Sequence, residues 1–157
     1  MSKVLIPLIV LLLAAFMIYR TWTNSKAGEE NFQQGQAFLL ENAKKEGIIT
    51  TESGLQYEVL ETSGNTEKPG PKSKVKVHYH GTLIDGTVFD SSVDRGTPIS
   101  FGLNQVIKGW QEGLQHMSEG DKYRLYIPST LGYGKKGTGP IPPSAVLIFD
   151  VELIEIQ

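Results

Sequence analysis

The sequence predicts an α+β fold: an antiparallel β-sheet covered by one short helix, preceded by an apolar N-terminal helix and a linker helix. Three observations predict it. From Gly54 onwards, several segments alternate apolar and polar residues with the period of two that is typical of half-buried strands. Most of these segments are joined by turns rather than helices, which favours antiparallel pairing. A single later segment has its apolar residues at helical spacing.

The first element is an apolar segment. Residues 4–19, VLIPLIVLLLAAFMIY, contain no charge, and Trp22 extends the run towards a membrane interface. The run approaches the roughly 20 residues of a membrane-spanning helix. Two interpretations stay open: an uncleaved anchor over residues 1–22, or a cleaved secretory signal. We favour the anchor over the signal, and over a buried soluble helix, because the small residues Ser25-Lys26-Ala27 come late for a signal peptidase.

Either of the first two interpretations predicts export, the default for a single N-terminal apolar segment. Lys3 on one side of the apolar run is matched by Arg20 and Lys26 on the other. The distribution of positive charge therefore leaves the orientation open.

Residues 23–47 predict a linker followed by a helix. The polar stretch 20–28 is interpreted as non-helical, and the next segment has helical composition up to Lys44-Lys45 and Gly47. It is too short for a coiled coil, so we expect a docking or pairing element. We expect Gly35 to weaken it. Its apolar side is formed by Phe32, Phe38, Leu39 and Ala43.

Residues 48–157 contain the predicted sheet. Asp85-Gly86, between two apolar-rich runs, predicts a tight hairpin. Within NQVIKGWQEGLQHMSEG the helical spacing predicts one helix that ends at Gly120. The predicted strands are centred on residues 55–59, 75–79, 123–127 and 147–153.

Composition limits the possible chemistry. The 157 residues suit one domain, and the absence of cysteine excludes disulfides and thiolate metal sites. All 17 Asp and Glu residues lie at or after Glu29, whereas three of the 15 Lys and Arg residues precede it. The soluble part is therefore mildly acidic and has no basic stripe, so no nucleic-acid partner is expected.

Two patterns weakly suggest bound groups. His78 and His80 share one face of a strand, as a metal pair would, but no third ligand is near in sequence, and a solvated sheet face is the favoured interpretation. The stretch GYGKKGTGP lacks the spacing of a phosphate-binding loop. We therefore predict no metal and no cofactor.

Asp90 is harder to interpret. In HYHGTLIDGTVFDSS the aromatic Phe89, expected to be buried, stands beside this carboxylate. Asp90 either caps the serine-rich turn that follows or belongs to a site among the apolar residues near turns and loops. We favour the site.

Four segments together resemble the FK506-binding-protein (FKBP) type of peptidyl-prolyl isomerase, over residues 48–157. They are VHYHGTLIDGTVFDSS, QVIKGWQEGLQHMSEGDKYRLYIP, YGKKGTGPIPP and LIFDVELIEI. The preceding ENAKKEGIITTESGLQYEVL is similar to the stretch that introduces this domain in bacterial envelope members. The resemblance implies a sheet curled around one short helix, with an apolar cleft between them.

The resemblance also implies the residues of the cleft. The catalytic groups would be Asp90, Tyr133 and the backbone N–H of Ile107, with Arg95 pairing with Asp90. These neighbours favour the site over the cap as the interpretation of Asp90. Trp110 would form the floor, and the remaining substrate-binding residues would be Tyr79, Phe89, Phe101, Val106, Ile141 and Phe149. The chain departs from the family pattern at Ile99, at Gln105 and in the loop 135–140.

The implied activity is isomerisation of X-Pro bonds in proline-containing unfolded or nascent polypeptides, in exported or membrane-associated proteins. Macrolide inhibitors of the FK506 class are expected to bind, and the membrane is contacted through residues 4–22. The resemblance to envelope members also implies the cell envelope: an anchor would hold the chain in the inner membrane facing the periplasm, and a cleaved signal would leave it periplasmic. The alternative is a non-catalytic chaperone or binding module that uses the same cleft. A third interpretation, an anchored structural protein, predicts no cleft.

Overall fold

A long helix leads into one antiparallel sheet. The computed structural model describes residues 2–157, with side chains described from Ile6 onwards. The seven strands follow the order β1-β2-β6-β7-β3-β4, and β5 also pairs with β3. The helices are α1 (Ser2–Asn42), α2 (Ser92–Arg95) and α3 (Lys108–Leu114), and the strands are β1 (Ile49–Thr50), β2 (Gln56–Glu61), β3 (Lys74–Thr82), β4 (Val88–Ser91), β5 (Ile99–Gly102), β6 (Lys122–Ile127) and β7 (Leu147–Ile156). The predicted α+β class is confirmed.

The core lies between the sheet and α3. Strands β3 and β7 form the centre of the sheet, with Tyr79 opposite Val151. Alternate residues of β3 are buried, as the period of two predicts. Two glycines of α3 allow close contact with β6: a Cβ at Gly109 would lie 2.6 Å from Ile127 Cγ2, and a Cβ at Gly113 would lie 2.8 Å from Leu125 Cδ1. The short helix is therefore seated directly on the sheet.

The predicted hairpin is present. The Gly86 N–H donates to the Leu83 carbonyl (3.0 Å), and the Leu83 N–H donates to the Thr87 carbonyl (2.9 Å). Gly86 has a φ of 88°, a conformation that residues with side chains rarely adopt. The turn places Phe89 and Asp90 on β4 beside the centre of the sheet.

Helix α3 is shorter than the sequence pattern predicted. Val106 and Ile107 are extended, and a 3-10 turn over Leu103–Gln105 precedes them. The Gln111 side-chain amide donates to the Val106 carbonyl (2.7 Å), which holds this extended pair against the start of α3. β-Branched residues also lose side-chain freedom in a helix. The two side chains therefore belong to a loop that enters the helix.

The expected linker over residues 20–28 is wrong, because α1 is continuous through it. The stretch contains no proline, and Arg20, Lys26 and Ala27 are good helix formers. Among the described residues, α1 is also the one helix long and apolar enough to cross a membrane, and none of its most apolar window is buried. Length and composition fit an anchor and a signal sequence equally.

The second half of α1 docks on the domain. Docking is one of the two roles, docking or pairing, predicted for this helix. Its buried or half-buried positions recur at helical spacing and form one face: Gly28, Asn31, Phe32, Gly35, Phe38, Leu39 and Asn42. The Asn31 amide donates to the Pro143 carbonyl (2.8 Å). The buried Asn42 amide donates to Gln56 (2.8 Å), whose own amide donates to the Leu39 carbonyl (2.8 Å).

Gly35 allows α1 to pack closely against the domain. A Cβ at Gly35 would lie 2.8 Å from Val146 Cγ2, inside the normal contact distance. Val146 itself is buried in a small cluster with Leu39 and Tyr126. Glycine is unfavourable within a helix, but here it allows close packing that a larger residue would prevent.

A double-mutant cycle tests this contact. We compare the change in the free energy of unfolding that Gly35→Ala causes in two backgrounds. With Val146 present, this change should be less favourable by about 0.5–3 kcal/mol than in the Val146→Ala background. The gain in helix propensity is the same in both backgrounds and cancels. Urea unfolding of the four proteins measures the difference. The same cycle with exposed Gln36→Ala should be additive, and additivity at Gly35 as well would contradict the close contact.

Candidate active site

A cleft lies between the concave side of the sheet and α3. Its volume is ≈ 640 Å³, within the range of small-molecule sites in proteins. The lining is mostly apolar and aromatic, with a polar group at a few positions. It comprises Tyr79, Phe89, Asp90, Ile99, Phe101, Gln105, Val106, Ile107, Trp110, Tyr133, Pro140, Ile141 and Phe149.

Trp110 lies within a cluster of aromatic rings. Its ring centroid is 5.2 Å from that of Tyr79 and 5.1 Å from that of Phe149, both edge-to-face, and 5.4 Å from that of Phe101. Only 5% of Trp110 is exposed. Its Nε1 has no hydrogen-bond acceptor among the residues that the structure describes. Aromatic packing therefore fixes the position of the indole.

Gly81 makes room for two of the wall rings. A Cβ there would lie 2.7 Å from the Phe89 ring and 2.8 Å from the Phe149 ring. These rings contact each other edge-to-face, with their centroids 5.3 Å apart. This glycine, near the end of β3, thus lets Phe89 and Phe149 pack across the strand towards the cleft.

Asp90 belongs to a three-residue network. The Tyr79 hydroxyl donates to Asp90 Oδ2 (2.5 Å), and the Arg95 guanidinium donates to Asp90 Oδ1 through Nη1 and to the Tyr79 oxygen through Nη2 (3.0 Å). The guanidinium also lies 5.8 Å from the centre of the Tyr79 ring. The network joins β3, β4 and α2 at one edge of the cleft.

The network fixes the charge states of its members. Partial burial acts to raise the pKa of the Asp90 carboxyl, but the hydrogen bonds from Tyr79 and Arg95 and the positive charge of Arg95 outweigh it, so the pKa lies below its ordinary value. Burial and the hydrogen bond to Asp90 raise the pKa of the Tyr79 hydroxyl. Asp90 is therefore a carboxylate and Tyr79 a neutral donor at neutral pH.

Asp90 does not cap the turn that follows it. The cap of α2 is Ser91, whose hydroxyl accepts a hydrogen bond from the Asp94 N–H (3.1 Å). The capping interpretation of Asp90 is wrong, and the alternative, a carboxylate facing the cleft, agrees with the structure.

Two further polar groups lie at the cleft. Tyr133 is 42% exposed at its rim. Ile107 lies at the start of α3, and its N–H donates to no protein acceptor among the described residues. The loop that carries Tyr133 is held in place by hydrogen bonds from Gly134 N–H to the Ser129 carbonyl (2.9 Å) and from Ser144 N–H to the Gly134 carbonyl (2.8 Å).

The structure brings together every predicted site residue except Arg95, which lies behind Asp90 rather than on the cleft wall. The prediction missed Ile99, Gln105 and Pro140 as lining residues. The first two were noticed only as departures from a family pattern. Pro140 directly precedes Ile141, which was predicted, so its place next to a predicted lining residue could have identified it as a lining residue too.

Each histidine of the pair His78 and His80 lies within hydrogen-bond distance of a serine hydroxyl. His78 Nδ1 lies 2.9 Å from the Ser92 hydroxyl, and His80 Nδ1 lies 2.8 Å from the Ser91 hydroxyl. Within the described part of the chain, no group of three potential ligands is close enough to hold a metal ion.

Comparison with known families agrees with the geometry of the cleft. The family profile described as FKBP-type peptidyl-prolyl cis-trans isomerase matches residues 65–154. The chain belongs to this family. A second profile, described as the domain amino terminal to FKBP-type peptidyl-prolyl isomerase, matches residues 11–59 of this FKBP-type chain, including the docked part of α1.

Individual relatives agree. An FKBP-type isomerase FkpA of Aeromonas hydrophila is 56% identical over 138 residues, 86% of this chain and 51% of the relative. The Outer membrane protein MIP of Legionella longbeachae is 44% identical over 142 residues, 90% of this chain and 60% of the relative. The chain thus spans less than two thirds of either protein. The crystal structure of FkpA from Escherichia coli superposes with a TM-score of 0.88 at 41% identity, covering 95% of this chain and 71% of that one.

Proposed function

We propose that this FKBP-type chain catalyses cis-trans isomerisation of X-Pro bonds in unfolded or nascent polypeptides of exported or membrane-associated proteins. The observation that carries the proposal is the open aromatic cleft over Trp110, whose mostly apolar lining includes a few polar side chains such as Asp90, Tyr133 and Gln105. Such a lining suits an apolar ring flanked by peptide groups.

Catalysis of this reaction requires no nucleophile. The peptide bond is planar because resonance places partial charges on its oxygen and nitrogen, and rotation costs about 18–20 kcal/mol. The twisted transition state is less polar than the planar ground state. An apolar cleft that removes the bond from water therefore destabilises the planar form more than the twisted form, and each ~1.4 kcal/mol of this difference accelerates rotation tenfold.

The proposed roles follow from position. Trp110, Phe149 and the other apolar residues bind the prolyl ring. The Ile107 N–H and the Tyr133 hydroxyl donate to substrate carbonyls, while Asp90 presents a carboxylate at the edge. Arg95 acts indirectly, by holding Asp90 and Tyr79. The same lining supports binding of macrolides of the FK506 class, which would compete with the polypeptide.

We further propose that residues 1–22 anchor the chain in the inner membrane and that residues 48–157 form an isomerase domain facing the periplasm. The apolar, exposed first half of α1 supports the anchor. Proline isomerisation takes tens to hundreds of seconds without a catalyst, slow enough to limit folding after export. N-terminal sequencing of the protein recovered from membranes tests the anchor against a cleaved signal.

A relaxation assay tests the activity. The full chain in mild detergent is mixed with a peptide enriched in the cis X-Pro isomer, and the return to equilibrium is followed by fluorescence. The rate constant should rise in proportion to protein concentration and fall when an FK506-class macrolide is added. Tight binding of unfolded chains without acceleration would instead support the chaperone or binding module.

Tyr133→Phe is expected to reduce kcat/KM by about tenfold, the value of one hydrogen bond of roughly 1.4 kcal/mol in the transition state. Stability should change little, because the hydroxyl has no hydrogen-bond partner among the described side chains and Tyr133 lies at the rim. The relaxation assay and urea unfolding measure the two effects. Tyr126→Phe, on the other side of the sheet and outside the cleft, is the control and should keep full activity.

A further inference from the structure

The docked domain begins almost directly after the apolar part of α1. Described residues before Gly28 are exposed, apart from half-buried Thr23, whereas Gly28 is buried against Pro143. Because α1 is continuous, the six residue steps from Trp22 to Gly28 rise only about 9 Å along its axis. No flexible spacer separates the apolar segment from the domain.

A bilayer of normal dimensions places the domain at the lipid surface. Residues 4–22 form a helical length of about 28 Å, close to the roughly 30 Å of the hydrocarbon layer. The headgroups add about 5–8 Å on each side. With Trp22 at the hydrocarbon boundary, Gly28 therefore lies at the outer edge of the headgroups, and the parts of the domain next to Asn24 and Ser25 lie among them.

The part of the domain in that position is the loop that carries Tyr133. A cavity of ≈ 390 Å³ between α1 and the domain is lined by Asn24 and Ser25 on the helix and by Gly134 and Lys135 on the loop. The loop thus extends past Gly28 towards the membrane end of α1. Lys135 and Lys136 are both exposed.

The membrane end of α1 and the loop beside it differ in net charge from the rest of the molecule. Arg20 and Lys26 of α1 and Lys135 and Lys136 of the loop are exposed basic residues, and Glu29 and Glu30 are the nearby acidic ones. The region is net positive, although acidic residues outnumber basic ones from Glu29 onwards. Basic residues next to a membrane are attracted to anionic lipids.

We propose that Lys135 and Lys136, together with Arg20 and Lys26, bind anionic phospholipid headgroups of the bilayer that holds α1. This binding holds the mouth of the cleft at the membrane surface, so that its substrates are X-Pro segments of polypeptides lying at that surface. The inference rests on the proposed anchor, and it deepens the proposed function by naming where the substrate is met.

The absence of cysteine allows site-specific labels to measure the distance to the headgroups. Thr138→Cys places a fluorophore on the exposed part of the loop. Glu67→Cys is the control, because it lies at the other end of β6 from the loop. Glu67 lines a cavity with Glu119, which precedes β6, whereas the loop follows the end of this strand. The full chain is reconstituted in nanodiscs of phosphatidylcholine with or without phosphatidylglycerol, each containing a trace of headgroup-attached quencher.

We expect strong quenching at Thr138→Cys and weak quenching at Glu67→Cys in discs that contain phosphatidylglycerol. Lys135→Gln and Lys136→Gln should each shift the ratio of docked to undocked domain about five-fold towards the undocked form. Lys72→Gln and Lys74→Gln, which change the charge equally at exposed sites on and beside β3, should not. Added salt should weaken quenching at Thr138→Cys.

Equal quenching of the two labels, or quenching at Thr138→Cys that is unchanged by the two loop lysines, would overturn the proposal. Co-elution with nanodiscs tests the anchor separately. A chain that does not co-elute would show that α1 does not hold it in a bilayer, and this result would overturn the proposed lipid binding too. Failure of the proposed function is separate again, since the relaxation assay in detergent measures isomerase activity without any bilayer.

Discussion

Trp110→Ala is expected to lower the free energy of unfolding by about 3–5 kcal/mol, the typical effect of removing a buried aromatic side chain, and to abolish measurable isomerase activity. The indole is 5% exposed and contacts the rings of Tyr79, Phe101 and Phe149, so its removal leaves a cavity beneath the cleft. Urea unfolding followed by circular dichroism measures the first effect. The relaxation assay at low temperature, where the variant is still folded, measures the second.

Loss of stability alone would also reduce activity, and a second variant separates the two causes. Leu114→Ala removes a fully buried side chain from the same helix, but Leu114 does not line the cleft. It should be destabilised by about 2–5 kcal/mol and keep near-normal activity per folded molecule. If Trp110→Ala were equally active per folded molecule, the indole would be a core residue without a role in the reaction.

The elements that the sequence predicted best are those set by neighbouring residues. Asp85-Gly86 indicated the hairpin because glycine adopts the positive φ of the turn. The alternation in β3 and β7 indicated which residues face the core. In each case a short stretch of sequence contains the physical cause of the structure.

The errors concern contacts between segments that are distant in sequence. The packing role of Gly35 was missed because its partner, Val146, cannot be recognised from the local pattern. The 20–28 linker was predicted from polarity, although nothing in it breaks a helix. Val106 and Ile107 have helical spacing, and only the structure of the preceding turn shows that the helix begins after them.

The site was predicted largely by resemblance, and the structure adds how its parts are connected. No periodicity in the sequence reveals that the Tyr79 hydroxyl on β3 donates a hydrogen bond to Asp90 on the neighbouring strand β4. Arg95 was predicted to pair with Asp90, and it does, but it does so from outside the cleft. The distinction matters for the proposed function, in which Arg95 acts through Asp90 and Tyr79 rather than on the substrate.

Asp90→Leu tests that network and is expected to reduce kcat/KM by roughly 10- to 100-fold. The variant leaves the Tyr79 hydroxyl and Arg95 without their acceptor, and hydrogen bonds to charged groups contribute about 1.5–3 kcal/mol. Stability should change much less, because the Asp90 side chain is 44% exposed and its ion pair with Arg95 is near the surface. Asp94→Leu is the matched control, since it removes a carboxylate from α2 that does not line the cleft.

The pH dependence of the wild-type protein gives an independent measure of the same network. Because the pKa of Asp90 is lowered, the ion pair is intact above the ordinary carboxyl pKa and is lost only as the pH falls through the lower folded value. The raised pKa of Tyr79 keeps its proton in place on the alkaline side. kcat/KM should therefore be flat from about pH 5 to about pH 9. Since the reaction transfers no proton, a decline between these limits that disappears in Asp90→Leu would show that Asp90 titrates during catalysis, contrary to its proposed role as a fixed carboxylate.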